Sequence, residues 1–172
     1  IIAFDPYLEE GEVRVNLHSD YNADLKINVK TISKDELLAQ ADFISLHIPG
    51  GQGYVLDSHD FDKMKDGVMI INTSRGGLLD AAAAIEALKT GRIGALGLDV
   101  YENEKDLFFR DKSNDIIVDD VFRRLSACHN FLFTGHQAFL TDEALGNIAD
   151  TSLGNINAFH HNQASGNELI KL

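Results

Sequence analysis

Four short apolar runs, Phe43-Ile44-Ser45-Leu46-His47, Val68-Met69-Ile70-Ile71, Ile93-Gly94-Ala95-Leu96-Gly97-Leu98 and Phe131-Leu132-Phe133, recur down the chain with helical patterns between them. Runs of this length, rich in Val, Ile, Leu and Phe, read as strands buried on both faces. Ser33-Lys34-Asp35-Glu36 is a capping box that opens a short helix through Ala41. Asp80 caps an alanine-rich helix over residues 81–89, stopped by Gly91. Residues 119–125 form a further helix, and Thr141 caps a long one that reaches about His160. The opening Ile1-Ile2-Ala3-Phe4-Asp5-Pro6 enters directly as a strand. This order implies a parallel, doubly wound α/β sheet.

In such a sheet the carboxyl ends of the strands converge on one crevice, where ligands bind. Three chemistry-bearing residues stand just past three of the runs. Arg75 lies in Ile71-Asn72-Thr73-Ser74-Arg75-Gly76-Gly77, Glu104 in Asp99-Val100-Tyr101-Glu102-Asn103-Glu104, and His136 in Phe133-Thr134-Gly135-His136-Gln137-Ala138-Phe139. An arginine offers a planar fork of donors that fits a carboxylate, which lysine cannot copy. A histidine exchanges a proton near neutral pH, and a carboxylate beside it favours the cationic form and fixes the tautomer. Together these groups suit a small 2-keto or 2-hydroxy acid. Singly, each has an ordinary reading: a surface arginine, one charge in the solvated run 102–106, and a histidine bonded to backbone. Glu102 competes with Glu104 for the acidic role.

With 172 residues, 44% of them hydrophobic, the chain is long enough for one sizeable core, so a single domain is expected. A net charge of −12 repels phosphates and argues against nucleic-acid or anionic-membrane partners. The lone Cys128 has no internal disulfide partner, and with no signal peptide or long apolar run a reducing cytoplasm is the expected location. No His, Cys or acidic residues stand at metal-ligand spacing: His18, His59, His129 and the pair His160-His161 read as surface groups, and no metal is expected.

The three motifs resemble those of the D-isomer-specific 2-hydroxyacid dehydrogenases, in which Arg, Glu and His occur in this order. Arg75 to Glu104 spans 104 − 75 = 29 positions and Asp99 to Glu104 spans 5, in keeping with the family pattern. The flanking residues 99–109 and 125–139 are similar to the fermentative D-lactate dehydrogenase branch. The resemblance implies a Rossmann-like domain and NAD as cofactor. It implies that Arg75 binds the substrate carboxylate, that His136 is the acid/base and that Glu104 holds its imidazole. Asp5 matches the strand-end acid that bonds the adenosine ribose hydroxyls and prefers NAD to NADP. His47, Ile48 and Pro49 match residues beside the adenosine half. Thr73 and Ser74 match contacts near the nicotinamide ribose, and Asp99 matches the acceptor for the carboxamide. Phe139 is either an apolar wall for a small side chain or a core aromatic. The implied reaction interconverts pyruvate and D-lactate in a homo-oligomer. A relative acting on a larger 2-keto acid, or a non-catalytic NADH-sensing binding protein, remains open.

Departures accompany the resemblance. The family's opening strand and Gly-x-Gly-x-x-Gly loop are absent, so residues 1–172 read as the C-terminal portion of an NAD-binding domain, with the separate substrate domain outside the chain. Such a piece is expected to be unstable and inactive alone. Residues 8–24 are polar, acidic and aperiodic, and read as an irregular connection before a strand at 25–29. Gly50-Gly51-Gln52-Gly53-Tyr54 is shorter than the family's loop and reads as a flexible turn, not a phosphate cradle.

Overall fold

The computed structural model describes residues 1–17, 25–51, 53–108 and 111–168. They divide into two compact units, Ile1–Gly135 and His136–Leu172. The first opens with β1 (Ile2–Ala3), β2 (Gly11–Leu17), β3 (Leu25–Thr31), α1 (Lys34–Gln40) and β4 (Phe43–Leu46). It continues with α2 (Ser58–Lys63), β5 (Val68–Asn72), α3 (Ala81–Thr90) and β6 (Ile93–Leu98). It ends with α4 (Glu104–Leu107), α5 (Asp120–Ser126) and β7 (Phe131–Phe133), and the second unit contains α6 (Asp142–His160). Among the described residues no helix is long and apolar enough to cross a membrane.

β4, β5, β6 and β7 form a parallel sheet in that order, as alternating strands and helices require. α3 buries Ala81, Ala84, Ile85 and Leu88, the i, i+3, i+4, i+7 stripe of an amphipathic helix, and packs on β6. Ile70, Ile85, Ile93, Leu96 and Leu125 are wholly buried between these layers. Each contributes roughly 1.5–3 kcal/mol by leaving water.

A second sheet, ordered β1-β3-β2, pairs β1 parallel and β2 antiparallel to β3. β2 corrects the expectation of an irregular connection over residues 8–24. Val13, Val15 and Leu17 alternate with polar residues, a period of two that surrounding Glu and Asp residues obscure. Residues 18–24, His18 among them, lie outside the described residues, as do Gln52 and Phe109.

Two further expectations change. Ser33 accepts from the Glu36 N–H (3.3 Å), but Glu36 takes the Gln40 side-chain amide (2.9 Å) instead of completing a capping box. The reciprocal box forms at Asp57 and Asp60, which opens the unforeseen α2. β4 is not buried on both faces: Phe43 is 73% exposed and Ser45 is exposed, while Ile44 and Leu46 are buried. The cause is position. β1 and β4 are the terminal strands of their sheets, and both line an apolar cavity of about 610 Å³.

Candidate active site

The four parallel strands end level. Leu46 pairs with Asn72, Asn72 with Leu98, and Leu98 with Phe133. The residues that follow, His47, Thr73, Asp99 and Thr134, therefore leave the sheet side by side, where strand ends of parallel sheets bind ligands.

Hydrogen bonds lace this rim. The Ser74 hydroxyl donates to the Ile48 carbonyl (2.6 Å), tying the segment after β4 to that after β5. The Asp99 N–H donates to the Asn72 carbonyl (3.0 Å), tying β5 to β6, and the Thr134 hydroxyl donates to Asp99 Oδ1 (2.5 Å), tying β6 to β7. Asn72 is wholly buried and organises the turn beyond it. Its amide donates to the Arg75 carbonyl (2.8 Å), and its Oδ1 accepts from the Ser74 N–H (3.0 Å). A buried side-chain amide satisfied at both ends fixes a loop more firmly than its own backbone does.

Arg75 is thereby held at the rim with an exposed side chain whose Nη1 donates to the Ser74 carbonyl (2.7 Å). Among the described residues no carboxylate pairs with its guanidinium. Its donors are open to an anion, in a chain that is otherwise acidic.

The next residue brings the second catalytic candidate near. A Cβ on Gly76 would stand 2.1 Å from the Tyr101 carbonyl carbon and 2.4 Å from the Glu102 nitrogen, so only glycine lets the Arg75 loop cross the segment that carries Glu104. Glu104 is half-buried at the first position of α4, and its carboxylate accepts from the Tyr101 N–H (3.2 Å). Tyr101 anchors that segment: its buried ring meets Phe122 at 5.5 Å, and Phe122 meets Phe133 at 4.9 Å. Burial, then hydrogen bonding to Asp119 (2.9 and 3.0 Å), raise the Tyr101 phenol above its ordinary value. Burial alone would raise Asp119 as well. Bonds from the Phe122 N–H (2.8 Å), the Asn103 amide (3.1 Å) and Tyr101 outweigh it and hold the carboxyl below its usual range.

Glu102, the competitor, has a different neighbour. Its Oε2 accepts from the Tyr54 hydroxyl (2.9 Å), a bond that, with burial and the charge of Glu102, pushes the phenol up to about 12.

Among the cofactor candidates, Asp5, His47, Ile48 and Pro49 line the single cavity between β1 and β4. Asp5 Oδ1 accepts from the Tyr7 N–H (2.8 Å), and its other oxygen takes no hydrogen bond among the described residues, which suits a ligand hydroxyl. His47 Nε2 bonds the Ser45 hydroxyl (2.8 Å). Asp99 is 3% exposed at the end of β6, where its Oδ1 accepts from the Thr134 hydroxyl. Asp5 belongs to the cavity lining, whereas Asp99 stands at the end of β6, outside that lining. Thr73 and Ser74 lie on the rim between.

His136 opens the second unit. It holds φ 61°, a left-handed conformation that costs a non-glycine residue about 1 kcal/mol or more and is concentrated at functional sites. Phe139, in the second unit, is 51% exposed.

Sequence reasoning missed Asn72 and Thr134 as organisers, and the pairs Tyr54–Glu102 and Tyr101–Asp119. Asn72 and Thr134 had a usable signal, a hydrogen-bonding side chain at a buried strand's end; the pairs, 48 and 18 residues apart, had none.

Residues 3–138 match the model of the D-isomer specific 2-hydroxyacid dehydrogenase NAD-binding domain. The D-lactate dehydrogenase of Escherichia coli K12 is 52% identical over 172 residues, covering 99% of this chain and 49% of its own. The crystal structure of a Treponema pallidum D-lactate dehydrogenase aligns with a TM-score of 0.81 at 32% identity, over 99% of this chain and 48% of that one. A Lactobacillus jensenii D-lactate dehydrogenase, solved with NAD+, gives a TM-score of 0.76 at 27% identity over 99% and 48%. This chain spans about half the length of the curated relatives it matches.

Proposed function

The chain belongs to the D-isomer specific 2-hydroxyacid dehydrogenases, matching the NAD-binding domain of that family, and from that membership we propose that the whole protein reduces a small 2-keto acid to the D-2-hydroxy acid, pyruvate to D-lactate first among them. Residues 1–172 are read as the C-terminal portion of the NAD-binding domain, in a cytoplasmic homo-oligomer whose substrate domain lies outside the chain. When bound, NADH supplies the hydride. The remaining work falls to this chain.

Arg75 binds the substrate carboxylate and so fixes which carbon lies within reach of the nicotinamide; a bidentate clamp of this kind converts encounter into orientation. His136 gives a proton to the keto oxygen during reduction and removes the hydroxyl proton in the reverse direction. Glu104 orients the imidazole and supports its cationic form. Asp99 orients the carboxamide, Asp5 holds the adenosine ribose and favours NAD over NADP, and His47, Ile48 and Pro49 flank the adenosine half. Thr73 and Ser74 flank the nicotinamide ribose, and Phe139 walls in a small substrate side chain.

The observation that supports this reading is the crossing at Gly76, where an arginine with no carboxylate partner among the described residues adjoins the segment bearing Glu104, at the level ends of three strands. NADH oxidation by the full-length protein with pyruvate tests it, beside Arg75→Gln. A fall in kcat/KM of about a thousandfold is expected for loss of a charge-assisted fork that also orients the substrate. Preference for bulkier keto acids would replace pyruvate; NADH binding without turnover would replace the enzyme by a sensor.

A further inference from the structure

Beyond the rim residues, Tyr54 makes a side-chain bond to the segment that Gly76 crosses. Gly50 and Gly51 follow residues 47–49 beyond the end of β4, and Gly51 and Gly53 hold φ 105° and 83°. Such backbone is accessible to glycine at the expense of a large conformational freedom, so something else has to fix it. Past the loop, the Val55 and Leu56 N–H groups donate to the Leu78 carbonyl (2.7 and 3.0 Å), and Leu56 bridges Leu79. The loop's far end is thus fastened to the chain just beyond Arg75. Its near side lies on Arg75 itself: a Cβ on Gly50 would meet Arg75 Cγ at 3.0 Å and Cβ at 3.1 Å.

Tyr54 closes the arrangement. It is 48% exposed, packs in no core, and its hydroxyl reaches Glu102 Oε2 at 2.9 Å. Glu102 belongs to the segment against which Gly76 is pressed, so the two residues flanking the crossing, Arg75 on one strand of it and Glu102 on the other, are joined through the loop.

We propose that Tyr54 is a positioning residue: by donating to Glu102 it ties the chain after Gly53 to the segment that Gly76 crosses, and so sets where Arg75, whose aliphatic stem lies against Gly50, presents its guanidinium to a 2-keto carboxylate. The proposal rests on the reading of Arg75 as the carboxylate binder. It assigns Tyr54 and Glu102 an effect on substrate capture, not on the chemical step.

The test uses the full-length protein, with pyruvate KM, kcat and the NADH dissociation constant measured for each variant. Tyr54→Phe is expected to raise KM about tenfold, with kcat and NADH binding within twofold. Glu102→Gln keeps an oxygen that accepts from the phenol and should stay near the wild-type KM, whereas Glu102→Ala should match Tyr54→Phe, and the double variant Tyr54→Phe/Glu102→Ala should be no worse than either. In an Arg75→Gln background, Tyr54→Phe should add nothing to KM. An unchanged KM in Tyr54→Phe overturns the tie while leaving Arg75 standing. Equal shifts in KM, kcat and NADH binding overturn it as a general structural defect. If Arg75→Gln itself leaves KM unchanged, the reading of Arg75 fails first, and any Tyr54 effect that survives belongs to another route.

Discussion

Adjacent glycines offer a paired experiment on the crossing that builds the site. At Gly76 an added Cβ would lie 2.1 Å from the Tyr101 carbonyl carbon and 2.4 Å from both the Tyr101 oxygen and the Glu102 nitrogen. At Gly77 it would meet nothing within 4 Å. Ordinary contact begins at 3.4 Å, so Gly76→Ala demands a separation greater by 3.4 − 2.1 = 1.3 Å. All three opposing atoms are backbone, and no rotamer relieves the overlap. Either the Arg75 turn or the Tyr101–Glu102 peptide has to move.

Both are held. Asn72 and Ser74 bond the first, and the Tyr101 ring, buried against Phe122, holds the second. The overlap should therefore cost about 1–3 kcal/mol of stability as overpacking. A displacement near 1 Å at a positioning group typically costs about 100-fold in rate. In NADH-coupled pyruvate reduction by the full-length protein, Gly76→Ala is expected to lose about 100-fold in kcat/KM and to melt earlier. Gly77→Ala, with negative φ and open space, should match wild type or gain a few tenths of a kcal/mol through a less flexible unfolded chain. Activity within threefold of wild type in Gly76→Ala would refute the argument, as would equal damage from the two substitutions.

Other consequences follow from the rim and its supports. Thr134→Val keeps the side chain's shape but removes the donor from the buried Asp99 carboxylate, so stability should fall by about 1–3 kcal/mol and NADH should bind about tenfold more weakly by fluorescence titration; Thr134→Ser should restore both. Asp119→Ala removes the cap of α5 and the acceptor of the buried Tyr101 hydroxyl's proton, an expected loss of about 2–3 kcal/mol in denaturant unfolding, with Asp119→Asn milder. Because the folded-state Asp119 carboxyl is depressed, its contribution is complete above the ordinary carboxylate value and is lost as pH falls through the folded one. The stability gap between wild type and Asp119→Asn should hold above about pH 5 and narrow as pH falls below the ordinary carboxylate value of about 4.

What the sequence disclosed follows the range of the interactions involved. A strand buried in a parallel sheet shows itself as an apolar run, and the residues that follow it are obliged to leave the sheet where its neighbours do; that Thr73 and Asp99 come out side by side was legible for that reason. Helix starts at Asp80, Asp119 and Thr141 were legible because a cap bonds within three residues. β2 failed because a strand paired at a sheet's margin needs only three alternating apolar residues, and acidic neighbours hide so short a period. Phe43 failed for a complementary reason: its run specifies a strand, but not that the strand stands at its sheet's end with one face open. Nothing local separates Gly76 from Gly77, which differ only in what the tertiary fold places opposite them. Strand ends and helix caps are therefore readable from one segment at a time, whereas the crossing at Gly76 and the bonds of Tyr54 to Glu102 and of Tyr101 to Asp119 become visible only when two segments are seen together.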